Sequence, residues 1–86
     1  MKKYKLGDKN VDVLYRIVAL IDIPSMHVKA GDVGGYVGDE RNLSQLGNCW
    51  IFGNARVFGN ARVFGNARVF GDARVFGDAR VFGAVS

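Results

Sequence analysis

From Gly53 onward the chain repeats one hexapeptide, Gly-Asn/Asp-Ala-Arg-Val-Phe, five times without interruption, at Gly53–Phe58, Gly59–Phe64, Gly65–Phe70, Gly71–Phe76 and Gly77–Phe82. A fixed short period excludes most folds at once, because every unit must satisfy the same burial pattern in the same way. Ala-Arg-Val-Phe alternates small apolar, charged, β-branched and aromatic residues, which is the two-residue period of a strand; a helix would scatter them around its surface. Gly followed by Asn or Asp supplies the backbone freedom of a corner. Each unit is thus a four-residue strand and a two-residue corner, with Ala and Val facing one side and Arg and Phe the other. A degenerate copy, Gly47-Asn48-Cys49-Trp50-Ile51-Phe52, precedes the five, and Gly83-Ala84-Val85-Ser86 begins another.

A period of six with a β-branched residue two places after a small one resembles the hexapeptide repeat of left-handed parallel β-helices. The resemblance implies a triangular coil, one hexapeptide per side and three per turn, so that residues eighteen apart stack at about 4.8 Å. Val57 then lies under Val75, Val63 under Val81, Ala55 under Ala73 and Ala61 under Ala79, a thin dry core. Cys49 joins the Ala67 and Val85 column as a small buried residue and not a nucleophile. At the corners Asn54 lies under Asp72 and Asn60 under Asp78. On the outside Arg56 pairs with Arg74, Arg62 with Arg80, and Trp50 with Arg68 in a cation–π contact. Phe52, Phe58, Phe64, Phe70, Phe76 and Phe82 also point outward, two per side.

Ahead of the repeat, Lys2–Leu6 and Val11–Ile23 are expected as two strands around the turn Gly7-Asp8-Lys9-Asn10, with Pro24-Ser25 ending the second. Such a hairpin can cover the apolar end that a solenoid leaves open. The fold expected is therefore all-β: a left-handed parallel β-helix at 36–86 with an N-terminal β-hairpin cap at 1–35. The segments Val28–Val37 and Asn42–Phe52, with Lys3-Tyr4-Lys5-Leu6, look like the start of YdcK-like hexapeptide-repeat proteins of bacteria, phages and prophages. Longer members carry a transferase label. Hexapeptide acyltransferases typically use a His on an inserted loop, and carbonic anhydrases of the same fold three His ligands; the five repeats here contain neither insertion nor His.

With 86 residues, 49% of them hydrophobic, the chain is one small domain, which needs a disulfide, a metal, very regular packing or a partner to become firmly stable. One Cys (Cys49) and one His (His27) supply neither an intrachain disulfide nor a Cys/His zinc set. No cofactor, no metal and no enzymatic activity are expected. The apolar run Ile17–Ile23 is interrupted by Asp22 and too short for a bilayer, and Met1-Lys2-Lys3 leads into no signal-peptide core, so a soluble, cytoplasmic protein with no membrane partner is expected. Gly31-Asp32-Val33-Gly34-Gly35 lacks the Gly-Lys-Ser/Thr ending of a phosphate loop and reads as a corner. His27 reads as a surface residue, and Asp39-Glu40-Arg41 as a solvated turn.

The outward aromatics require the functional explanation, because soluble monomers seldom expose large aromatics in contiguous columns. The candidate binding or oligomer interface comprises Trp50, Phe52, Arg56, Phe58, Arg62, Phe64, Arg68, Phe70, Arg74, Phe76, Arg80 and Phe82, with the chemically distinct Trp50, Phe52, Arg68 and Phe70 side expected to meet a partner. The expected function is non-catalytic binding: a homo-oligomer, encoded by a phage or prophage and acting in the host cytoplasm, that binds and inhibits a host protein complex such as a defence complex. A net charge of +4 favours acidic partners. Nucleic acid is the weaker partner, since the repeat arginines are spread over three sides and form no single basic stripe. The alternatives are a degenerate acyltransferase-like protein, a virion spike or fibre segment, and a nucleic-acid-binding protein.

Overall fold

The computed structural model of the chain describes residues 2–10 and 12–83. Nine strands follow in order: β1 (Tyr4–Lys9), β2 (Tyr15–Ala19), β3 (Val33–Val37), β4 (Trp50–Ile51), β5 (Arg56–Val57), β6 (Arg62–Phe64), β7 (Arg68–Val69), β8 (Arg74–Val75) and β9 (Arg80–Phe82). Short 3-10 turns at Pro24–Met26 and Glu40–Asn42 are the only helical elements among the described residues. The architecture is all-β, with the repeat strands running parallel.

From β3 onward the chain visits three sheets in rotation. One sheet has the order β1-β2-β3-β5-β8, and β4-β7 and β6-β9 are two-stranded. The eighteen-residue register read from the repeat is present: Trp50 opposes Arg68, Val57 opposes Val75, and Val63 opposes Val81. Backbone ladders join successive coils, as in Arg56 N to Ala73 O at 2.9 Å and Phe58 N to Val75 O at 3.0 Å. Ala55, Val57, Ala61, Val63, Ala67 and Val69 are buried, with Ile51 and Cys49 beneath them. The glycine opening each unit from Gly53 to Gly77 has φ between 61° and 69°, the left-handed region that a side chain rarely adopts. Gly-Asn/Asp is thereby established as the corner. The Val85 end of the expected Cys49, Ala67 and Val85 column lies outside the described residues.

The first coil departs from the period. Val37 opposes Val57 and Leu43 bridges to Val63, each twenty residues on, whereas Ile51 opposes Val69 at eighteen. The two additional residues fall between Leu43 and Ile51, in a loop whose Leu46 is 81% exposed. That loop is where the N-terminal segment grips the solenoid. Gln45 Oε1 accepts from Lys3 N at 2.7 Å and Tyr4 N at 3.2 Å, and Lys3 Nζ donates to Cys49 O at 2.8 Å and Gly47 O at 3.3 Å.

The cap differs from its expected form in two respects. β1 continues through Gly7, Asp8 and Lys9, so the reversal comes later, where Asn10 Oδ1 accepts from the backbone N–H groups of Asp12 and Leu14. An Asx-type turn at Asn10 replaces the expected turn at Gly7–Asn10. β2 stops at Ala19 rather than reaching Ile23. Gly34 and Gly35, expected in a corner, lie inside β3, which pairs antiparallel with β2 and parallel with β5. They are buried because Ile17 and Ile51 come too close for a side chain: a Cβ on Gly35 would stand 2.4 Å from Ile51 Cγ2. β3 is thus common to cap and solenoid, and the 1–35 and 36–86 segments meet within a strand.

Candidate interaction surface

Period-two alternation sends the Arg and Phe of every repeat outward, and the cap decides which of them stay accessible. On the β4-β7 sheet Trp50 occupies the Arg position yet is only 1% exposed, in an edge-to-face contact with Tyr4 at a centroid separation of 6.4 Å. Arg68 donates from Nη2 to Ser25 O at 3.1 Å and from Nε to Met26 Sδ at 3.1 Å, so the segment around Pro24–Met26 lies over this side. Phe52 is half-buried against the core and only Phe70 stands clear. Of the Trp50, Phe52, Arg68 and Phe70 side expected to meet a partner, the cap buries Trp50 and engages Arg68, while Arg68 and Phe70 remain exposed. Trp50 makes its aromatic contact with Tyr4, and the guanidinium–aromatic contacts of the structure lie instead around Tyr36, with Arg16 Cζ 4.3 Å and Arg56 Cζ 5.9 Å from the ring centroid.

The two remaining sides carry stacked aromatics. On β5-β8, Phe58 and Phe76 stack at 5.5 Å with 11° between planes; on β6-β9, Phe64 and Phe82 stack at 5.2 Å and 21°. The lower ring of each pair is half-buried, and Phe76 and Phe82 are well exposed. Beside them run Arg56 and Arg74, and Arg62 and Arg80, opposed in register. The ion pairs among the described residues are Lys2–Glu40 and Arg41–Asp39, so none of these four arginines has a carboxylate partner. At the corner Asn60 Nδ2 donates to Asp78 at 3.4 Å, the expected Asn-under-Asp column.

The buried polar residues Lys3 and Asn42 tie the cap and the first coil to the solenoid, whereas Arg56 Nε is buried with no hydrogen-bond partner among the described residues. Asn42 Oδ1 accepts from Gly38 N and Asp39 N, and its Nδ2 donates to Gly59 O and Ala61 O, a fully satisfied staple between the first coil and the next. Tyr4 Oη donates toward Glu40 O at 2.8 Å and Leu43 O. Burial, reinforced by the charges of Glu40, Cys49 and Asp39, pushes the Tyr4 phenol well above its ordinary range. Burial likewise lowers the Lys3 ammonium from its usual value, against the raising influence of Cys49. Asp39–Arg41, expected to be solvated, is a capped turn in which Arg41 and the Glu40 N–H hold the exposed Asp39 carboxyl below the usual range. Nothing in the sequence singled out Asn42 or Lys3. Cys49 is fully buried with its thiol 3.3 Å from Lys3 Nζ. His27 is exposed, in a left-handed turn conformation after Met26.

A three-sheet parallel β-solenoid with an antiparallel cap is the class this geometry defines. Residues 51–63 and 61–75 match the family described as YdcK Beta solenoid repeat, so this stretch of the repeat is similar to YdcK-like β-solenoid proteins. No curated protein matches the chain. No helix among the described residues is long and apolar enough to cross a membrane.

Proposed function

We infer that the chain is a non-catalytic binding protein whose solenoid holds stacked Phe pairs and unpaired arginines in a fixed array for a macromolecular partner. The observation that carries this reading is the pairing of Phe58 with Phe76 and Phe64 with Phe82 on two sides of the solenoid, with Phe76 and Phe82 well exposed. Aromatic residues and arginine are the types enriched where protein surfaces meet, and a strand array presents them with little entropy left to lose. The thiol of Cys49 is sealed within the solenoid and His27 sits on a separate turn, which supports a binding rather than a catalytic role. The resemblance to phage and prophage proteins supports the finer reading, an accessory protein acting in the host cytoplasm on a host protein complex. Affinity purification from expressing bacterial cells tests it, comparing the native chain with the Phe58→Ser/Phe76→Ser and Phe64→Ser/Phe82→Ser variants. A host protein retained by the native chain and lost with one pair is expected; identical protein profiles for all three would overturn the binding reading.

A further inference from the structure

We propose that the β6-β9 side is the docking face and that its occupant is an acidic, partly apolar protein segment. This rests on the protein-binding reading above and adds the face and the partner's chemistry.

Three observations select the face. On the β4-β7 side the cap buries Trp50 against Tyr4 and holds the Arg68 guanidinium through Ser25 and Met26, which leaves Phe70 exposed but no arginine free of a partner. On β5-β8 the groove beside Phe58 includes the carboxylate of Asp12, and Arg56 is half-buried with its guanidinium directed toward Tyr36. On β6-β9 a groove of about 460 Å³ is lined by Arg41, Ser44, Arg62, Val63, Phe64 and Arg80, with no carboxylate among these lining residues. Arg41 is held by Asp39 at 2.8 Å; Arg62 and Arg80 are exposed, adjacent in register and without an ion-pair partner among the described residues. Like charges directly opposite in a sheet repel, and that repulsion is relieved when an anionic group sits between or above them.

The same residues choose among occupants. A second copy docking side to side would set one Arg column against another, because the repeat carboxylates stand at the corners and Asp78 there already meets Asn60. A nucleobase stacks on a ring face, and in the Phe64–Phe82 stack the two facing ring surfaces are taken, so along the groove between them the pair presents its edges. Ring edges are the positive end of the aromatic quadrupole and suit carboxylates and aliphatic groups.

The test uses the full chain and an arrayed library of synthetic peptides graded in net charge and apolar content, with single-stranded oligo-dT on the same surface. Binding enriched in acidic, apolar-containing peptides is expected, falling by more than about tenfold in Arg62→Glu/Arg80→Glu and by less than about threefold in Arg56→Glu/Arg74→Glu. Arg62→Lys/Arg80→Lys should keep most of the affinity, and unchanged melting curves confirm that each variant folds. Tighter binding of oligo-dT, association of the chain with itself that the Arg62/Arg80 reversal removes, or peptide binding altered less than about twofold by that reversal would overturn the proposal. A host protein lost with Phe58→Ser/Phe76→Ser but indifferent to Arg62 and Arg80 would leave the binding reading standing and remove only this assignment.

Discussion

Tyr4 shows how much of this small protein depends on single polar contacts at the base of the solenoid. Its neutral phenol donates to carbonyls of the first coil, so Tyr4→Phe should lower stability at neutral pH by about 1–2 kcal/mol, measured by urea unfolding. The phenol's folded value is raised, so above its ordinary value of 10.0 the unfolded chain releases a proton that the folded chain keeps. Native stability therefore falls as pH rises beyond that point, and the gap between native and Tyr4→Phe proteins should narrow by up to about 1.4 kcal/mol per pH unit. Lys3, whose value is lowered, contributes with the opposite sign below its ordinary 10.5, but equally in both proteins. A gap constant across the alkaline range would contradict the assignment. Lys3 and Asn42 were illegible in the sequence because a buried Lys or Asn looks like any surface one until the carbonyls it serves are in place.

At the scale of elements the period did most of the work. Once each unit is read as strand plus corner, the opposition of Val57 with Val75 and of Arg62 with Arg80 follows from counting, and the structure has those pairs. Counting also sets Trp50 opposite Arg68, but only the docked cap determines that Trp50 is covered. β3 is not legible as a strand because Gly34-Gly35 carries turn chemistry. In the fold, lack of side chains there admits Ile17 on one side and Ile51 on the other. Gly35→Ala, with its Cβ 2.4 Å from Ile51 Cγ2 and 2.6 Å from Ala55 O, should cost about 1–3 kcal/mol or more through overpacking. Gly31→Ala, open within 4 Å but at φ +94°, should show only the backbone penalty of about 1–2 kcal/mol. Equal thermal midpoints for native and Gly35→Ala proteins would contradict the close approach across β3.

Across the whole molecule, burial is graded along the solenoid axis. Ala55 and Ala61 are fully buried, whereas Ala73 and Ala79 in the following coil are exposed. Amides of Arg56, Phe58 and Arg62 donate to carbonyls of the next coil. Hydrogen exchange should accordingly be at least about tenfold slower at Arg56, Phe58 and Arg62 than at Arg74, Phe76 and Arg80. Uniform protection would show instead that the last described coil is covered in solution, as end-to-end stacking requires. The two-residue excess between Leu43 and Ile51 also bears on how such a chain can change over time. It lies entirely upstream of the uniform units and sets their phase once, so copying errors that gain or lose a hexapeptide later on would leave every remaining Val and Ala in register. Unequal recombination among the near-identical coding segments could thus lengthen or shorten the molecule in steps of about 1.6 Å, a third of the strand spacing, without disturbing the cap or inventing a new core.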